Sequence, residues 1–342
     1  MSNNIVNEVN VFTLTHIVPG VVDGAFRNDP LLAYLKANGI QRIQGGAYGG
    51  SMIQENILYK PMFGGAYAPG DTFNITKQRT LEGLTFDLKH HEVNVTEFLE
   101  LIEVYNRGPE AVFSLVETDL TNAALTMSAI LAVELYGGGQ SANVLKMNGL
   151  SEALGSTGTA SQDGTTYSTY GNVTRSNVSP ALDTNVVNVN GAITYKTLEE
   201  NYNKTVIGGI EPKLIVTTNL GMSYIKEKFH PQYRITQTDP TIGFTGIQFN
   251  RATIMQSQYC PGTLGVNDAV LGNYLNSNGE TLWMLVPQYL RFWVSASSLF
   301  GFGFSGFKWV NDSTVVAGQY FASCNLTCQA PRVMSQLYNI TA

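Results

Sequence analysis

The sequence predicts an α+β fold organised around one long helix, and three observations carry that prediction. From Gly108 to Gly137, apolar residues recur at helical spacing with no Gly or Pro after the first turn. On either side, over about 53–95 and again from Gly301, short runs alternate at period two between clusters of Gly, Pro and Asn. Between residues 155 and 300, helix-like and strand-like segments alternate, as in a compact α+β domain.

Residues 1–48 read as an extended arm with one short helix at 30–36, capped by Asn28-Asp29 and stopped by Gly39. Phe12, Leu14, Ile17, Val21 and Val22 leave that arm apolar and in need of a neighbour. Gly45-Gly46 and Gly49-Gly50 then break the chain. A long β-hairpin is expected over 53–95, with FGGAYAPGD as its turn chemistry and Thr85–Lys89 as a half-buried strand. Asn94 with Glu97 resembles a capping box that opens a short helix to Tyr105.

The long helix has Pro109 at its first position, where a missing N–H costs nothing, and Glu110 at the positive end of the dipole. Phe113, Val116, Leu120, Ala123, Met127, Ile130, Leu131 and Leu135 form its apolar stripe, and Gly137 stands where a left-handed glycine would end it. At 1.5 Å per residue it spans roughly 40 Å. Helical NVLKMNGLSEAL follows, and a Gly-, Ser- and Thr-rich run from 155 reads as surface loop, which places a domain boundary near Leu154. Helices are expected at 195–207 and 220–229, and strands at 213–217, 243–249 and 252–255. Aromatic strands and a terminal strand, VAGQYFASCNLTCQA, close the chain.

Composition narrows the function classes. Asp, Glu, Lys and Arg make up 13% of the 342 residues, about half the usual share of a soluble domain. Uncharged polar groups cost less to desolvate than ions, so this chain suits a protein largely covered by copies of itself. A formal net charge of −6 with no cluster of Lys and Arg argues against nucleic-acid recognition through a basic patch. Cys260, Cys324 and Cys328 form neither a CxxC pair nor a disulfide framework. Cys324, Leu326 and Cys328 share one strand face, so they read as small buried side chains and free thiols of a reducing compartment. The N-terminal MSNNIVNEVNVF has no basic or apolar targeting region, and no apolar run reaches membrane-spanning length.

Each motif that could carry chemistry has a simpler reading. Gly301-Phe-Gly-Phe-Ser-Gly306 matches GxGxxG, but that motif cradles a pyrophosphate only where a strand enters and a helix leaves, and here Phe307-Lys-Trp-Val continues as strand. Gly137-Gly138-Gly139 follows a helix, the wrong polarity for a phosphate cradle. Adjacent His90 and His91, before Glu92, point to opposite faces of a strand, so a solvated hairpin edge is expected instead of a metal site. His16 and His230 stand alone. Glu97, Glu100 and Glu103 read as a solvated helix face, and neither GxSxG nor an acid–base carboxylate pair is present. The sequence therefore argues for no catalytic residue, no metal and no cofactor.

The order of these parts resembles the major capsid proteins of tailed bacteriophages, with the Hong Kong 97-type capsid fold. The stretches that carry the resemblance are Gly45-Gly46 before the hairpin, the helix GPEAVFSLVETDLTNAALTMSAILAVELYGGG, NGLSEAL, TYGNVTR at 169–175, PKLIVTTNLGMSYIKEKF, and the closing GQYFASCNLTCQAPRVMSQLYNI. The resemblance implies an N-arm (1–48), an E-loop (49–93), a P-domain (94–154, with its spine helix at about 109–136), an A-domain (155–300) and a return to the P-domain (301–342). It also implies assembly with copies of itself as hexamers and pentamers into an icosahedral shell around double-stranded DNA, with E-loops lying on neighbouring P-domains. The expected partners are a portal protein, decoration proteins and, because Met1 opens directly into the arm, a separate scaffolding protein; no membrane is involved. The expected location is the virion, assembled in the host cytoplasm. Some family members crosslink an E-loop lysine to a neighbour, but Lys60, Lys77 and Lys89 read as ordinary solubilising residues. The alternatives are an encapsulin-like nanocompartment shell, or, from another class, a β-rich enzyme or carbohydrate-binding module.

Overall fold

The computed structural model describes residues 29–37, 41–43, 52–73, 75–98, 109–139, 144–229, 237–238, 245–310 and 313–342. Most of the expected arm, the four glycines at 45–50, His16, His230, Glu100 and Glu103 lie outside the described residues. Helix α1 (Pro30–Ala37) and strand β1 (Gln41–Ile43) come first, followed by β2 (Met52–Leu58) and β3 (Leu81–Asp87), which pair antiparallel. β3 passes through Leu88 into β4 (Lys89–Phe98). The long helix is α2 (Pro109–Tyr136), and of the helix expected over 143–154 the described residues, from 144 on, form a single turn, α3 (Leu150–Ala153). The two-residue strands β5 (Thr169–Tyr170) and β6 (Val173–Thr174) and the turn α4 (Arg175–Val178) follow.

The next segment runs β7 (Asn185–Ala192), α5 (Tyr195–Thr205), β8 (Leu214–Thr217), α6 (Asn219–Phe229), β9 (Gln237–Thr238), β10 (Thr245–Phe249) and β11 (Ala252–Gln256). A small hairpin of β12 (Asn267–Asp268) and β13 (Gly272–Asn273) precedes β14 (Glu280–Leu285), β15 (Leu290–Ser295), β16 (Gly301–Phe304), β17 (Lys308–Trp309), β18 (Val315–Cys328) and β19 (Ser335–Thr341). Two sheets organise the molecule. In the first, the wall sheet, β18 pairs with β4 along one edge and with β15, β16 and β17 in turn along the other; Cys324 opposes both Lys89 and Val294. β1 adds to β15 in parallel. The second sheet has the order β7-β19-β14-β8-β11-β10-β9.

Helix α2 changes character along its length. Its middle is amphipathic, with Leu120, Ala123 and Met127 buried and Thr121, Asn122 and Leu125 exposed. From Leu131 to Tyr136 every side chain is buried, as expected of a helix that enters the core end-on. Asp29 is the predicted cap: its Oδ2 accepts the Leu31 and Leu32 amides at 2.9 and 3.1 Å. The same carboxylate accepts from the Tyr136 hydroxyl at 3.2 Å and from Ser257. One residue thus ties α1 to the end of α2 and to the second sheet. Burial pushes the Asp29 carboxyl above its ordinary range against the pull of these hydrogen bonds.

Several expectations are corrected. The left-handed glycine after α2 is Gly139, with φ +63°, and not Gly137. The capping-box residues Asn94 and Glu97 lie within β4, because ten residues in register with β18 outweigh a local helix signal. The Gly-, Ser- and Thr-rich run is not simply surface loop: Ser161, Tyr167, Tyr170, Arg175 and Val178 are buried. The closing segment forms two strands, β18 in the wall sheet and β19 in the second, and β15 joins the wall sheet although it precedes residue 300.

Candidate interaction surface

The hairpin is short in its pairing and long at its tip: β2 and β3 pair from Met52↔Asp87 to Leu58↔Leu81, and the described residues of 59–80 form no strand. β2 alternates strictly, with Ile53, Glu55 and Ile57 inward and Met52, Gln54, Asn56 and Leu58 outward. Leu84 and Phe86 of β3 join the inward set. Their seat is built by the TYGN turn of β5 and β6. The Gly171 carbonyl accepts the Thr85 amide at 3.0 Å, Asn172 Nδ2 donates to Thr85 Oγ1 at 2.8 Å, and Phe86 meets the edge of Tyr170 at 5.0 Å. Gly171 has φ +56°, and a Cβ there would stand 2.8 Å from Leu84 and Phe86. Only glycine fits both demands.

The inward Glu55 is 2% exposed. It accepts from Arg291 Nη1 at 3.3 Å, from Thr327 Oγ1 at 3.2 Å and from Gln329 Nε2; Thr327 Oγ1 in turn accepts from Trp293 Nε1 at 2.9 Å. A buried carboxylate is tolerated because its lone pairs are all engaged. Beyond the root the tip is bare. Met62, Phe63, Tyr67, Phe73 and Ile75 are exposed, Ile75 by 93%, although Tyr67 and Phe73 meet edge to face at 5.1 Å. Apolar side chains so far outside any core, on a well-rooted arm, make this tip the candidate interaction surface.

The other candidate motifs take structural places. His91 is not on a solvated edge: its Nε2 lies 2.7 Å from Glu134 Oε2 of α2, both side chains 8% exposed, and Glu134 also accepts the Met147 amide at 3.1 Å. Burial opposes charge on His91, but the neighbouring Cys324 and Glu134 outweigh it and raise its pKa to about 10. His90 points to the opposite face, with Nδ1 at 2.6 Å from Ser323 Oγ. Glu97 faces the long helix; burial and then the Asp119 carboxylate raise its pKa to about 7. In Gly301-Phe-Gly-Phe-Ser-Gly306, β16 forms as expected, and Cβ atoms at Gly301 and Gly303 would meet the Ser295 and Ser298 carbonyls at 2.5 and 2.3 Å. The glycines let backbones approach. Cys260, Cys324 and Cys328 are buried and free. Among the described residues no group of three or more His, Cys, Asp and Glu could hold a metal ion, and no helix is long and apolar enough to cross a membrane.

No family model matches this sequence, and no curated protein sequence matches it. Solved structures do match. The chain is similar to the capsid asymmetric unit of cyanophage A-1(L), with a TM-score of 0.61, 14% identity, and coverage of 92% of this chain and 93% of that one. It is similar to the SrpI encapsulin of Synechococcus elongatus PCC 7942 in its holo complex, with a TM-score of 0.56 and 12% identity over 90% and 87% of the two chains. The mature capsid of bacteriophage PhiM1 matches at 0.52 and 9% identity, over 89% and 86%. At such identities the likeness speaks for the fold, and it runs nearly end to end.

Proposed function

We propose, from the premise that the chain has the Hong Kong 97-type capsid fold, that it is a major capsid protein. Its copies would close as hexamers and pentamers into an icosahedral shell around the double-stranded DNA of a tailed phage. The observation that carries this reading is the rooted hairpin with a bare apolar tip, set in a chain that aligns over 92% of its length with a cyanophage capsid subunit. A hairpin that leaves its own body and covers the next copy makes a heterologous contact, and such contacts generate rings when the rotation closes. In this reading 49–93 is the E-loop, α2 the spine, the wall sheet the P-domain and the second sheet the A-domain. Sheet membership favours counting β15 with the P-domain and β19 with the A-domain. A portal protein would be among its partners, assembly would take place in the host cytoplasm, and the protein would be structural and not an enzyme.

A second reading, favoured by the likeness to the encapsulin, is a shell around protein cargo. Electron microscopy of the purified protein, with its nucleic-acid content measured, tests both. Icosahedral particles that carry DNA when isolated from infected cells support the first reading. Particles that hold protein without DNA support the second. A monomer or small oligomer overturns both, and favours the carbohydrate-binding or enzymatic alternative.

A further inference from the structure

The two strands of the hairpin are attached to the body in different ways. β3 continues through Leu88 into β4, all ten residues of which pair with β18, and Asn325 Nδ2 of β18 donates to the Asp87 carbonyl at 2.7 Å. That side is continuous with the wall sheet. On the β2 side, among the described residues, the side-chain hydrogen bonds to the wall sheet all end on Glu55, from Arg291 on β15, Thr327 on β18 and Gln329 just after it. We propose that Glu55 is a latch, that residues 87–89 are the pivot, and that the latched state sets the direction in which the hairpin tip points.

This attachment has two stable states and no comfortable middle. When the root is seated, the carboxylate is dry but fully partnered. When it is lifted, Glu55 and Arg291 are both hydrated. Partial opening would leave a half-partnered carboxylate in a water-poor site, the costliest arrangement for a charge. Arg291 already has its side chain 39% exposed, so it can exchange its carboxylate partner for water without leaving the sheet. The apolar contacts of Ile53, Ile57, Leu84 and Phe86 would open with the latch, and so would the Thr85–Gly171 bond between the last two. Packed interfaces of this kind switch between discrete arrangements instead of deforming continuously.

The consequence for assembly rests on the shell reading above; the latch itself does not, and it is tested on unassembled subunits. Hydrogen exchange followed by mass spectrometry should show amides of 52–58 and 81–87 exchanging at least tenfold faster in Glu55→Gln than in the wild type, with 282–285 and 337–340 unchanged. Gln329→Ala, which removes a donor from outside the hairpin, should give the same pattern with a smaller factor, and it decides the matter alone if Glu55→Gln does not fold. Unchanged exchange in the hairpin, or acceleration spread evenly over both sheets, overturns the latch. Wild-type particle formation, scored separately by electron microscopy, reports on the shell reading and leaves the exchange result standing.

Discussion

Replacing Gly149 with alanine should be among the most damaging single-methyl additions to this protein. Gly149 has φ −100° and ψ 174°, a conformation open to any residue, so the effect is steric and not conformational. An added Cβ would stand 2.1 Å from the Gly137 carbonyl oxygen and 2.5 Å from that of Glu134, where ordinary contact begins at 3.4 Å. Both neighbours are main chain, and neither can rotate away. Those carbonyls accept the Ser151 amide at 3.2 Å and the Gly137 amide at 3.1 Å, so moving them strains two hydrogen bonds worth about 0.5–1.5 kcal/mol each. Overpacking adds about 1–3 kcal/mol. A loss of about 2–6 kcal/mol is a large share of a typical stability of about 5–15 kcal/mol. The control is Gly83→Ala on β3, where the nearest atom is the mobile Gln54 Nε2 at 3.4 Å; it should stay within about 0.5 kcal/mol of wild type. Urea unfolding of unassembled subunits measures both. Equal stability of the two variants would refute the reasoning.

Three further outcomes are expected. Leu131→Asp and Leu120→Asp place a charge at sites 2% and 0% exposed and should cost about 3–5 kcal/mol, removing the protein from the soluble fraction, whereas Leu125→Asp, at a site 45% exposed on the same helix, should remain soluble. Excising 61–78 and bridging the gap with glycines keeps both paired strands and the Tyr59–Thr80 closure; it should give subunits with wild-type thermal stability that form no particles, and normal particles would count against the tip as the contact surface. The pKa of His91 is raised from 6.5 to about 10 in the fold, so its interaction with Cys324 and Glu134 contributes fully below pH 6.5 and is lost as pH rises towards 10, at up to about 1.4 kcal/mol per pH unit. Unfolding measured from pH 6.5 to 10 should show this decline in the wild type and a flatter profile in His91→Gln.

Local pattern made most of the elements legible and little of their connection. The long helix, the Asp29 cap, the hairpin and the alternation of α5, β8, α6, β10 and β11 follow from periodicity and turn chemistry, because each is decided by residues a few positions apart; β7 and β9 were not expected. The end of β4 and its partner were not legible for the opposite reason. Asn94 and Glu97 carry a local helix signal, and only pairing with β18, more than 200 residues away in sequence, makes that stretch a strand. The root of the candidate surface is non-local as well. Glu55 is an ordinary polar residue in a strand until Arg291, Thr327 and Gln329 converge on it. The one signal available beforehand was Glu55's position: a charge on the same strand face as Ile53 and Ile57 must be either an error of register or a partnered buried group.

The low charge of the chain also changes meaning once the interior is known. Coverage by copies of itself is one way to account for it, but β18 supplies another. From Ser323 to Cys328 every side chain is at most 1% exposed, so the period-two alternation separates an apolar buried face from a polar buried one. Asn325 accepts the Asn148 amide at 2.9 Å while donating to Asp87, Thr327 links Trp293 to Glu55, and Ser323 holds His90. Neutral hydroxyls and amides can be buried at modest cost when each is partnered, where ions could not. Part of the Thr, Ser and Asn that displaces charge from this composition therefore lies inside, and Ser323, Asn325 and Thr327 form the socket into which β4, the hairpin root and the 148 loop plug. The low charge follows in part from that socket, and it is the bare tip at 62–75 that argues for a covering copy.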